Sequence, residues 1–128
     1  MNIKRKIAKR LVCCLDKIGL LKPQSFYDIP IIINNFNRLS MLKKLIRGLE
    51  QRGYTNIWII DNNSTYPPLL EYYKKINAYV KVLNRKTNDG HRVFWKNKDL
   101  FSKYGKGYYV VTDADIEITD DCPDDFIL

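Results

Sequence analysis

The sequence predicts an α/β domain with a mostly parallel open sheet and helices on both faces. Three observations carry that expectation. Four short apolar runs rich in β-branched and aromatic residues recur along the chain: IPIII (Ile29–Ile33), NIWII (Asn56–Ile60), VKVL (Val80–Leu83) and YYVVT (Tyr108–Thr112). The segments between them carry apolar residues at helical spacing. The runs start roughly 20 to 30 residues apart, as parallel strands do when joined by right-handed helical crossovers.

Each element has its own justification. IPIII is a continuous apolar run and reads as a strand buried on both faces. From Arg38 to Arg52, Leu42, Leu45, Ile46 and Leu49 share one stripe that stops at Gly53, giving an amphipathic helix with a glycine C-terminal signal. NIWII is the second buried strand. Ser64 or Thr65 is the expected cap of a helix with Pro67 or Pro68 in its first turn and Leu69, Leu70, Tyr73 and Ile76 as its apolar face. VKVL is the third strand. A helical segment from about His91 to Tyr104 has Val93, Phe94 and Phe101 as its buried residues and Trp95 as a further candidate, and it breaks at Gly105 and Gly107. YYVVT is the fourth strand.

Composition narrows the class. A chain of 128 residues, 45% hydrophobic and 28% charged, suits one globular domain with a core. Its longest apolar run, Ile29–Ile33, is far short of the roughly 20 residues of a spanning helix. Cys13, Cys14 and Cys122 lack paired CxxC spacing and read as free thiols of a reducing compartment, which places the chain in the cytoplasm. The single histidine, His91, provides no partner for a histidine metal cluster, and no nucleophile elbow accompanies it.

The formal net charge of +8 is concentrated at the start of the chain. Seven basic residues stand against Asp16 up to Lys22, a net of +6, whereas the remainder carries 15 basic and 13 acidic residues, a net of +2. In that leader Ile3, Ile7, Leu11, Leu15 and Ile18 form one helical stripe. Residues 1–25 therefore read as a basic amphipathic helix and linker ahead of a domain over residues 26–128. Such a helix either lies on an anionic bilayer at the cytoplasmic face or packs on its own domain. The apolar core Leu11–Leu15 is too short for a secretory signal. No aromatic residue precedes Phe26 to stack on bases, and no nucleic-acid partner is expected.

Open parallel sheets bind ligands beyond the carboxyl ends of their strands. All four runs end in polar residues: Asn34 and Asn35, Asp61 to Asn63, Asn84 and Arg85, and Asp113 and Asp115. With 11 aspartates in the chain, an Asp-x-Asp triplet is expected about once by chance, so position at a strand end is what gives Asp113-Ala114-Asp115 its weight. Two carboxylates there can share Mn²⁺ or Mg²⁺, which take oxygen ligands and complete their shell with water and phosphate. The alternative is a solvated turn. An EF-hand loop does not fit, because Ile118 stands where the pattern needs Gly and Asp124 where it needs Glu. Asp120, Asp121, Asp124 and Asp125 read as a solvated turn and a helix N-terminus around Pro123.

IPIIINNFNR, NIWIIDNNST, LNRKTNDGHR and YYVVTDADIEI together resemble, in order, the nucleotide-binding half of GT-A-fold glycosyltransferases, particularly the family 2 type. The resemblance covers roughly Asp28 to Leu128. It implies a Rossmann-like fold that binds a nucleoside-diphosphate sugar, most simply a UDP-sugar, and transfers the sugar to a glycan or lipid-linked acceptor in surface polysaccharide assembly. By position it assigns donor binding to Asn35, Arg38, Asp61, Asn62, Asn88, Gly90, Arg92 and Asp113, and Mn²⁺ or Mg²⁺ to Asp113 and Asp115. Asn62 stands where the family has a second acid against the base. The family's acceptor half and usual catalytic base follow the segment matched here, so the resemblance names no catalytic residue. A nucleotidyltransferase, or a nucleotide-sugar-binding remnant without turnover, is the competing expectation.

Overall fold

Pro30 has no amide hydrogen to give to a sheet ladder. The first strand, β1, accordingly begins after it and spans Ile31–Asn35. It runs two residues beyond the apolar run because its carbonyls stay paired: Asn34 O accepts from Ala114 N at 3.0 Å and Asn35 O from Asn62 N at 2.9 Å. This is a computed structural model, and it describes residues 26–127. The leader expected to form a basic helix, residues 1–25, lies outside the described residues.

β1 pairs in parallel with β2 (Ile57–Asp61) on one side and β4 (Val110–Asp113) on the other, and β2 pairs in parallel with β3 (Lys81–Asn84). The strand order is β3-β2-β1-β4, an all-parallel open α/β sheet. Helices α1 (Ser40–Gln51) and α2 (Pro67–Ile76) connect β1 to β2 and β2 to β3. The return to β4 runs through a 3-10 turn at Gly90–Arg92 and two short helices, α3 (Val93–Lys96) and α4 (Lys98–Tyr104).

Strand alternation sorts the core into two layers. Ile31, Ile33, Ile57 and Ile59 face Leu42, Leu45, Ile46 and Leu49 of α1 and Leu69, Tyr73 and Ile76 of α2. Ile32 and Ile60 face Val93, Phe94 and Leu100. Helices thus cover both faces. Every residue of β1 is buried, whereas the edge strands β3 and β4 contain no fully buried residue. The third run is therefore an edge strand.

α1 ends as its sequence predicts. Gly53 has φ +85°, a conformation that costs glycine little, and its amide reaches Glu50 O at 3.0 Å while Tyr54 N reaches Leu49 O at 3.0 Å. This Schellman pattern satisfies carbonyls that a helix end leaves open. The start of α2 differs from expectation: neither Ser64 nor Thr65 caps it. Ser64 is bonded to Asp61, and Asn37 Oδ1, from the loop after β1, accepts from Thr65 N at 2.8 Å and Tyr66 N at 3.0 Å instead.

The single helix expected from His91 to Tyr104 is broken at Asn97, whose ψ of 102° is extended. The break resets the helical phase, so Phe94 is buried while Trp95 and Phe101 stay 48% and 44% exposed. Residues 114–127 run in turns rather than forming a helix at Pro123, and they pack back on α1. There Ile118 lies 3.3 Å from where a Cβ on Gly48 would be, and Tyr54 donates its hydroxyl to Asp124 O at 2.8 Å. The Cys122 thiol is free and buried. No helix among the described residues is long and apolar enough to cross a membrane.

Candidate functional site

The chain moves outward from β1 through β2 to β3 and then returns to the far side of β1 as β4. The direction of winding therefore reverses between β1 and β4, and such a reversal opens a crevice at the carboxyl ends of the two strands. Asn34 of β1 stands in register with Asp113 of β4, and Asn35 with Asp61 of β2. The four polar strand ends meet at one edge.

On the α1 and α2 side, Asp61 is only 2% exposed. Its Oδ2 accepts from Ser64 N at 2.8 Å, and its Oδ1 accepts from the hydroxyls of Ser64 at 2.6 Å and Tyr73 at 2.7 Å. Tyr73 in turn accepts from Asn35 Nδ2 at 2.8 Å, and Ser64 Oγ accepts from Asn37 N at 2.9 Å. Burial, reinforced by the hydrogen bond to Asp61, holds the Tyr73 hydroxyl well above the usual tyrosine pKa. Asn37 and Asn63 sit at φ 53° and 62°, turns that asparagine tolerates better than most residues. One hydrogen-bonded cluster thus ties the loops after β1 and β2 to α2.

On the other side, the loop after β3 is pinned by amides. Asn62, 3% exposed, donates from Nδ2 to Gly90 O at 3.1 Å, and its Oδ1 accepts from Asp89 N at 3.3 Å. Asn34 Nδ2 donates to His91 O at 3.0 Å, and Asn88 Oδ1 accepts from Gly90 N at 2.9 Å. Gly90 supplies the turn with φ +71°. Behind it, Arg85 pairs with Asp99 at 3.1 Å, and Asn97 Nδ2 donates to Asp89 Oδ2 at 3.0 Å. The Asn97 bond holds the Asp89 carboxyl below its usual pKa, as the Arg85 bond does for Asp99.

These contacts divide the expected donor residues. Asp61 and Asn62 are committed to neighbouring protein groups and position the two loops. Asn35 is committed through Nδ2 alone. The acceptors left open are the buried Asn34 Oδ1 and Asn35 Oδ1, neither of which has a hydrogen-bond partner. A buried carbonyl oxygen without a donor is costly and marks where a ligand group or water would be welcome. Arg38 and Arg92 are exposed at the same edge, and neither forms an ion pair among the described residues.

Asp113 and Asp115 are exposed on either side of Ala114, which is 2% exposed and tucks the intervening residue into the core. Neither carboxylate meets a cation among the described residues, nor is either part of a group of three or more His, Cys, Asp or Glu side chains. Asp113, in register with Asn34, and Asp115 past the strand end carry hard-oxygen donors. Oxygen donors of this kind are those Mn²⁺ and Mg²⁺ take, ions that commonly use one or two protein carboxylates and keep water and phosphate for the rest.

Sequence reasoning placed Tyr73 only in the core stripe of α2 and missed its polar role. The available signal was the residue type, since a buried tyrosine hydroxyl needs a partner. Asn97, which joins Asp89 to the break between α3 and α4, left no comparable signal. No protein-family model matches this chain, and no curated protein matches it.

Proposed function

We propose that this chain is the donor-binding part of a glycosyltransferase that takes a nucleoside-diphosphate sugar, with a UDP-sugar as the first choice, and passes the sugar to a glycan or lipid-linked acceptor. The reading rests on one observation: uncommitted Asp113 ends the strand that borders the winding reversal, in register with the unsatisfied Asn34, and uncommitted Asp115 follows in the turn just past it. In this reading the Asn35 carbonyl oxygen accepts a hydrogen bond from the base or ribose. Arg92, with His91 beside it, offers charge-assisted donors to the diphosphate, and Arg38 adds positive charge beyond β1. Asp113 and Asp115 would hold Mn²⁺ or Mg²⁺, which when bound offsets the charge of the departing diphosphate. An acceptor hydroxyl attacks the anomeric carbon as the bond to the diphosphate breaks, and its proton passes to a carboxylate base that we do not assign within residues 26–127. Such chemistry would take place at the cytoplasmic face of a membrane.

Calorimetric titration of UDP and a panel of nucleotide sugars, with and without Mn²⁺, tests the reading in the intact protein and in Asp113→Asn, Asp115→Asn. Metal-dependent binding is expected in the first and not in the second. A folded protein that binds none of them would overturn the donor site. Turnover of a nucleoside triphosphate in place of sugar-nucleotide hydrolysis would move the assignment to a nucleotidyltransferase.

A further inference from the structure

We propose that the outer face of α3 and α4 is a docking surface for an anionic lipid bilayer. Trp95 and Phe101, 48% and 44% exposed, both meet the ring of the buried Phe94 edge-on, at centroid distances of 5.7 and 5.9 Å. They therefore pack on one and the same core ring. Phe101 is held in place from behind, because a Cβ on Gly105 would come within 2.9 Å of its ring.

The same connection carries Lys96, Lys98, Lys103 and Lys106, all exposed. Ion pairs among the described residues use Arg52, Lys74 and Arg85, so none of the four lysines meets a carboxylate. Asp99 is the single acid between Val93 and Lys106, giving a net of +3 from four bases, and it is paired with Arg85 at 3.1 Å.

Exposed aromatic rings on a segment with four lysines outside any ion pair fit the boundary of an anionic bilayer. The rings enter the acyl edge, and the ammonium groups stay among the headgroups. A second copy of the chain fits poorly, because a two-fold contact on this face would set the same unpaired lysines against each other. The surface is independent of the donor site, though it lies on the connection that leads from Arg92 to β4. Docking here would hold the sheet edge close to the headgroups.

The full chain would be mixed with phosphatidylcholine vesicles with and without phosphatidylglycerol, and tryptophan emission and its quenching by brominated lipid followed. A blue shift with quenching is expected on the anionic vesicles alone. Both should be absent in Trp95→Phe, and the partition coefficient should fall about tenfold or more in Lys96→Glu, Lys103→Glu. Membrane binding through the leader alone would leave Trp95 emission unshifted and would overturn the proposal. So would equal partition into neutral vesicles, a shift that survives in Trp95→Phe, or no binding by the folded chain.

Discussion

The hydroxyl of Tyr73 accepts from Asn35 and donates to Asp61, so a single oxygen links β1, β2 and α2. Tyr73→Phe keeps the ring and removes that link, leaving Asn35 Nδ2 without its partner in the interior. The expected loss is about 1–3 kcal/mol in urea unfolding, and an unchanged midpoint would show that the cluster is dispensable. A second consequence concerns alkaline pH. Burial pushes Tyr72 up to about 12 and Tyr73 higher still, while both titrate near 10 when unfolded. Because the unfolded chain then loses protons that the folded chain keeps, the contribution to stability is complete below about pH 10 and falls as pH rises above it. Spectrophotometric titration should show tyrosines ionising later in the folded protein than in urea, and Tyr73→Phe should remove one of the latest. Residue types told part of this story in advance. Asp61 was recognisable as an acid directly after a buried strand, but its burial depends on Ser64 and Tyr73, whose partners only the tertiary fold supplies.

At the scale of elements, α1 is the support of the site, because its start follows the loop that carries Asn37 and Arg38. Leu42 is fully buried under the sheet, and Leu42→Ala should cost about 2–5 kcal/mol. Gly53→Ala, at φ +85°, should cost about 1 kcal/mol. Chemical denaturation measures both. The loop after β3 offers a more local test: Asn62→Ala should speed hydrogen exchange at Asp89 N, which donates to Asn62 Oδ1 at 3.3 Å, while exchange in α1 stays unchanged. Helix stripes and the Gly53 stop were readable because each is set by neighbours in sequence. The start of β1 could be read from Pro30, but its extension through Asn35 comes from pairing with strands far along the chain. Likewise, nothing short of the break at Asn97 shows that Trp95 and Phe101 face outward.

For the whole molecule, alternation of apolar runs was enough to give an α/β parallel sheet, since that inference uses only spacing and right-handed crossover. Strand order is a different matter. β4 could follow β3 at the same edge; instead it returns beside β1, and only that placement brings Asp113 into register with Asn34. Ligand linkage tests the assembled edge. If donor and Mn²⁺ bind the folded state alone, saturation about 100-fold above Kd should stabilise the protein by roughly 2.7 kcal/mol. The Asp113→Asn, Asp115→Asn protein should gain nothing under the same conditions, as followed by thermal unfolding.

The half-buried state of β4, set against the complete burial of β1, has a kinetic meaning. β1, β2 and β3 are joined by successive crossovers, whereas β4 must close the longest connection, from Asn84 to Val110, before it can pair. That closure adds an entropy cost that the β1–β4 pairing must meet before its bonds form. Asp113 therefore ends, and Asp115 directly follows, the strand whose pairing waits on the longest closure. A ligand that bridges Asn34 and Asp113 would act as a clasp, lengthening the lifetime of this pairing far more than that of β1 with β2.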